Sequence, residues 1–202
     1  MPSKLPLQRN AMTLTLRARL PKPAASACRQ RGITVLESLI VVTTTAVTLG
    51  SALPGLQQTR VQRHLDGSAA QLETDIQYAR SLAVAKRNNL RMSFVQDAHG
   101  SCYVVHSGPA GGCSCTAGGE TVCNAGSAAE RSQRFDATAT VQLRANVGGI
   151  VFDADKGTVT PTTTVRLTAG DGRAVHVVVN VMGRVRNCSP ATPVPVPGYK
   201  VC

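Results

Sequence analysis

Residues 31–54 read RGITVLESLIVVTTTAVTLGSALP, and this stretch decides how the rest of the chain is read. From Ile33 to Leu53 it is apolar apart from hydroxyls, with Glu37 its only charge. At about 1.5 Å of rise per residue, such a helix crosses a hydrocarbon layer of about 30 Å. Four threonines (Thr43, Thr44, Thr45 and Thr48) dilute its hydropathy. Ahead of it, residues 1–32 carry seven basic residues and no acid, which keeps them on the cytoplasmic side and sends the C-terminal part outward. An ordinary secretory signal is cut after its apolar region. Here the small residue, Gly32, stands before it.

A lone carboxylate in such a segment is costly and marks function. Glu37 lies four residues after Ile33. Cleavage after Gly32 would free the Ile33 amine, a cation able to neutralise Glu37 of a neighbouring subunit. The alternative is an interfacial glutamate near the end of an anchor.

The combination Arg31-Gly32, Ile33-Thr34-Val35-Leu36-Glu37 and a long apolar helix resembles the processing motif of type IV pilins and type II secretion pseudopilins. Pro54, twenty-second from Ile33, also matches a proline common in those helices. Ile33 departs from the usual Phe after the cut. The leader is long, and an internal start at Met12 would shorten it. The resemblance implies cleavage by a prepilin peptidase, methylation of the Ile33 amine, and assembly with other pilins or pseudopilins. It also implies a bacterial inner-membrane protein, single-pass, with a periplasmic C-terminal domain that later joins a surface filament.

Composition agrees with a leader followed by one modest domain. The formal charge of the 202 residues is +11, but without residues 1–32 there remain 15 basic against 11 acidic residues, a net of +4. Aromatics are only 3% and Trp is absent, so the core must come from Val, Leu, Ile and Ala. Cys28 falls in the leader, which leaves Cys102, Cys113, Cys115, Cys123, Cys188 and Cys202. Six cysteines suit an oxidising compartment and up to three disulfides. Proximity favours Cys188 with Cys202, and the other four among themselves. A metal reading would use Cys113, Cys115, Cys123, His99 and His106, but Cys-x-Cys in a Gly-rich loop is not a zinc-knuckle spacing. No metal and no cofactor is expected.

The secondary-structure reading is α+β. Leu65, Ala69, Leu72, Ile76, Ala79 and Ala83 recur in steps of four and three, one stripe of a helix over 54–89. Asn88-Asn89 is read as its end. Strands are expected at 90–96, 102–107, 138–144, 149–152, 164–168 and 174–186, an antiparallel sheet within 90–202 on which the helix packs. Residues 108–131 read as a disulfide-tied loop, and the four prolines of 189–202 as a tail without regular structure.

The segment from Gly149 to Gly157, the following hairpin, and Gly183-Arg184-Val185-Arg186 resemble the GspH/FimT group of minor pilins and pseudopilins. FimT-like members are implicated in binding extracellular DNA through a Gly-Arg-x-Arg motif during natural transformation. The resemblance therefore nominates Gly183, Arg184 and Arg186, with Lys200 as an added charge. In an extended chain Arg184 and Arg186 would project to one side about 7 Å apart, near the phosphate spacing of a DNA strand. Gly183 would let a phosphate backbone approach closely. Such binding would be sequence-independent and directed at duplex DNA, since three Tyr and three Phe offer little for stacking on bases. The competing reading is structural: a minor pilin or GspH-like pseudopilin that primes or caps a filament without touching DNA. The sequence argues against an enzyme, with no Gly-x-Ser-x-Gly elbow, no His-Glu-x-x-His pair and no P-loop.

Overall fold

The computed structural model describes residues 34–202, the side chains of residues 51–56 excepted. Gly32, Ile33, Cys28 and the leader over 1–32 lie outside the described residues. The chain divides into two units, Met1–Ala46 and Val47–Cys202. Helix α1 runs over Val35–Lys86.

In the first unit α1 is capped by Thr34, whose Oγ1 accepts the Glu37 N–H at 3.3 Å. Thr-x-x-Glu is the sequence of a capping box, and an acid in the first turn also suits the helix dipole. Among the described residues no helix is long and apolar enough to cross a membrane. The threonine hydroxyls of this segment are internally engaged. Thr43, Thr44 and Thr45 each donate to carbonyls three and four residues back, at 2.8–3.0 Å.

In the second unit the stripe Leu65, Ala69, Leu72, Ile76, Ala79 and Ala83 is fully buried. Arg87 ends the helix in a left-handed conformation (φ 49°), and the Asn88 N–H returns to the Ala83 carbonyl at 3.2 Å. The stop is thus one residue earlier than Asn88-Asn89.

The β region is two five-stranded sheets and a short ribbon, where the sequence indicated one sheet. Its strands are β1 (Leu90–Asp97), β2 (Gly100–Ser107), β3 (Cys113–Cys115), β4 (Thr121–Cys123), β5 (Ala129–Asp136), β6 (Val141–Ala145), β7 (Gly149–Phe152), β8 (Val159–Thr160), β9 (Thr163–Ala169), β10 (Ala174–Val179), β11 (Val185–Ser189) and β12 (Lys200–Val201). The first sheet is ordered β5-β2-β1-β7-β8, the second β12-β11-β10-β9-β6. Both contribute to one core with the helix stripe, through Met92, Tyr103, Ile150 and Phe152 on one side and Leu143, Leu167, Val175 and Val177 on the other. One helix thereby covers the apolar faces of two sheets, as a layered α+β core requires.

Three expectations need correction. Residues 108–131 are not an aperiodic loop, because β3 and β4 pair within them and β5 starts at Ala129. β5 is polar and mostly exposed, so it has no apolar alternation to betray it. Residues 174–186 are not one strand, because a turn at Asn180–Arg184 separates β10 from β11. The tail is not without structure either. Val196 is buried, its N–H donates to Ser189 Oγ at 2.9 Å, and β12 adds to β11 as a parallel strand.

Candidate functional site

The turn between β10 and β11 decides where the nominated residues point. Asn180 Oδ1 accepts the Arg184 N–H at 2.9 Å, and the Gly183 N–H donates to the Asn180 carbonyl at 2.9 Å. Gly183 has φ 71°, a left-handed conformation that favours glycine. It is buried against the helix: a Cβ there would meet Arg80 Cδ at 2.8 Å. Arg80 is held in place by its Nε donating to the Gly157 carbonyl at 2.7 Å. The role assigned to Gly183 from the sequence, admitting a phosphate backbone, does not fit this position. Its missing side chain admits Arg80 instead.

Arg184 and Arg186 are both exposed, on the other side of the segment. Arg186 is in β11 and pairs with Val178 of β10. Lys200, in β12, stands opposite Cys188 of β11. The three cations line one groove of about 730 Å³, with Val178, Asn187 and the Cys188–Cys202 disulfide completing its walls. Asn187 is oriented by its Nδ2 donating to Glu73 Oε2 of the helix at 2.7 Å. The structure therefore brings Arg184, Arg186 and Lys200 together and leaves Gly183 out. Val178 and Asn187 were not read as lining residues. The register that places them depends on recognising Asn180 and Gly183 as a turn.

Three cations and no acidic side chain line the groove. The ion pairs among the described residues are Lys86–Glu130, Arg131–Asp75, Arg134–Asp136 and Arg173–Asp171, none of them at the groove. Beside it His176 lies with Nδ1 3.6 Å from Cys202 Sγ. Burial and the nearby Arg166 charge hold its imidazole below the usual 6.5.

The six cysteines among the described residues are engaged in pairs. Cys102 bonds Cys115, Cys113 bonds Cys123, and Cys188 bonds Cys202. The first pair ties the ribbon to β2, the second joins β3 to β4, and the third closes the tail onto β11. The residues of the metal reading are thereby separated in role. Cys113, Cys115 and Cys123 are oxidised, and His106 is buried with Nε2 2.8 Å from Ser93 Oγ.

Away from the groove, a buried polar cluster locks helix to sheet. Asp75 accepts from Tyr103 Oη at 2.7 Å, Arg131 Nη1 at 2.8 Å and Gln71 Nε2 at 3.1 Å. Arg131 also lies over the Tyr78 ring at 4.0 Å. Burial, reinforced by Asp75, pushes the Tyr103 phenol well above its ordinary range. Such a satisfied network rigidifies the fold and offers no open position to a substrate.

Comparison with known proteins places this architecture. The family model described as type II transport protein GspH matches residues 68–183, more than half of the chain, and ends just before Arg184. Among solved structures, the type IV minor pilin FimU of Pseudomonas aeruginosa is 23% identical, with TM-score 0.47 over 66% of this chain and 93% of that one. The minor pseudopilin EpsH of the Vibrio cholerae type 2 secretion system is 13% identical, with TM-score 0.43 over 62% and 97%. No curated protein sequence matches. The GspH family is one of pilins and pseudopilins, structural proteins and not enzymes. On the strength of the match over 68–183, the chain belongs to the GspH family of type II transport proteins.

Proposed function

We propose that this pilin-like chain is a minor pilin of a type IV pilus that holds extracellular duplex DNA, without sequence preference, for uptake during transformation. The observation that carries the DNA half is the groove in which Arg184, Arg186 and Lys200 converge, none of them in an ion pair among the described residues. Guanidinium groups suit phosphate oxygens, and an unneutralised cluster gains most from a polyanion. A few phosphate contacts give weak, salt-sensitive affinity, which repetition of subunits along a filament would multiply.

The filament half rests on family membership and on the N-terminal sequence. Prepilin peptidase would cut between Gly32 and Ile33, and the freed amine would pair with Glu37 of an adjacent subunit. The large apolar residues Leu36, Leu39, Ile40, Val41 and Val42 are all exposed on α1, a surface that membrane lipid or neighbouring helices would cover. The back-bonded threonine hydroxyls lower the cost of placing that segment in the inner membrane, with the C-terminal unit in the periplasm.

A second reading is favoured by the family description itself: a type II secretion pseudopilin that primes or caps its filament and binds no DNA. The experiment that separates them is DNA uptake by cells carrying Arg184→Ala with Arg186→Ala. Loss of uptake with normal filaments supports the DNA receptor. Normal uptake, or loss only together with the filaments, contradicts it.

A further inference from the structure

We propose that the outward face of the second sheet is a phosphate track for double-stranded DNA, crossing all five strands from Lys200 to Arg144. This rests on the DNA-binding reading above and extends it well beyond the Gly-Arg-x-Arg segment. Register carries the argument. Lys200 stands opposite Cys188, Cys188 opposite His176, His176 opposite Arg166, and Arg166 opposite Arg144. Cross-strand partners project from the same face. The core side of this sheet is fixed by buried Leu143, Leu167, Val175 and Val177, and Arg144, Arg166 and Lys200 are exposed on the other. With strands about 4.8 Å apart, the row is about 19 Å long. Arg186 lies one step along β11 on the same face, opposite Val178, with Arg184 at the strand's entrance.

No Asp or Glu occurs in β6, β9, β10, β11 or β12. Arg144 and Arg166 face each other directly with no ion pair among the described residues, a like-charge juxtaposition that costs stability in the free protein. A polyanion laid across the row would relieve it. Between the cations stand Gln142, Thr164, Thr168 and Val178, short or polar side chains that leave the charges accessible. On this face the apolar side chains are the valines Val178 and Val201, with no Phe, Tyr or Trp on these five strands on which unpaired bases would stack. The regular phosphates of one DNA strand, about 7 Å apart along its backbone, fit it better, about three of them along about 19 Å.

The test is fluorescence anisotropy of the full-length chain in detergent with a labelled duplex of about 30 base pairs, titrated over a range of salt. The Arg144→Gln, Arg166→Gln double variant is expected to bind at least about tenfold more weakly, with a log K against log salt slope smaller by about 2. The Arg144→Lys, Arg166→Lys variant should keep most of the affinity and the slope. Should the Gln pair fail to fold, as judged by circular dichroism, Arg166→Gln with Lys200→Gln makes the same comparison. Unchanged binding by the Gln variant, alongside loss in Arg184→Ala with Arg186→Ala, overturns the track and leaves the groove intact. No duplex binding by the parent chain at low salt overturns the underlying DNA reading as well. Tight binding of an acidic peptide in place of the duplex overturns the choice of partner.

Discussion

A Cβ on Gly183 would meet Arg80 Cδ at 2.8 Å and Arg80 Nε at 2.9 Å, so the glycine next to the arginine pair faces the helix and not the groove. Its φ of 71° adds backbone strain for any other residue. Gly183→Ala should therefore cost about 1–3 kcal/mol, read as a lower melting temperature. Well below that melting temperature, duplex binding should persist. A Gly183→Ala protein that melts normally but loses DNA would show the glycine to be part of the binding surface after all.

Asp75 is 2% exposed and accepts three hydrogen bonds, two of them from the sheet residues Tyr103 and Arg131. Asp75→Ala strands the buried Tyr103 hydroxyl and should cost about 2–4 kcal/mol in urea unfolding. Tyr103→Phe removes only the hydroxyl and should cost about 1 kcal/mol.

The same tyrosine sets the alkaline limit. Its folded-state pKa is raised above the ordinary 10.0, first by burial and then by Asp75, and burial beside Asp66 pushes Tyr199 up to about 12. The unfolded chain loses these protons first, so stability is full below pH 10.0 and falls as pH rises beyond it. Thermal melts across that range should show the loss, and Tyr103→Phe should flatten it.

His176 works in the opposite direction. Its imidazole, beside Arg166 of β9, Cys202 and the Lys200 end of the row, has a pKa below 6.5 in the folded protein. The unfolded chain takes up the proton first, so stability falls as pH drops through 6.5 toward the folded-state value, and is unaffected above it. His176→Gln should remove that component. If a phosphate lies on the row, duplex binding should tighten on acidification in the parent and not in His176→Gln.

The Cys188–Cys202 disulfide closes a separation of 14 residues and holds Lys200 against β11. A loop of that size is stabilised by about 3 kcal/mol on cross-linking. Cys188→Ser with Cys202→Ser should lower stability by about 2–4 kcal/mol. It should also weaken duplex binding by the share of one phosphate contact, a salt slope reduced by about 0.9. Buried Val196 and its bond to Ser189 should keep the tail's first half in place.

What was legible in the sequence divides along physical lines. The helix stripe from Leu65 to Ala83 could be read because burial on one side of a 3.6-residue repeat leaves its mark in composition. Strands β1, β2, β7 and β9 are apolar enough to announce themselves, and Asp97-Ala98-His99-Gly100 does turn between the first two. β5 was hidden because its residues are chosen by solvent, not by the core. The turn at Asn180–Arg184 was hidden by the valines on both sides, which read as one long strand. That turn matters most for the site. It turns Gly183 inward, leaves Arg184 and Arg186 outward, and sets the β10–β11 register by which Arg166, His176 and Lys200 fall into line. Arg144, Arg166 and Lys200 are far apart in sequence, and only strand order makes them neighbours.

The central claim is that Arg184 and Arg186 hold DNA through its phosphates. The most direct measurement is duplex binding by the full-length chain in detergent, as fluorescence anisotropy at low and at physiological salt, with Arg184→Ala, Arg186→Ala beside it. Both side chains are exposed, so the variant should melt within about 0.5 kcal/mol of the parent. The account predicts parent binding that weakens steeply with salt, and a variant with little binding and a slope smaller by about 2. Equal binding by parent and variant, or none by the parent at low salt, would contradict it.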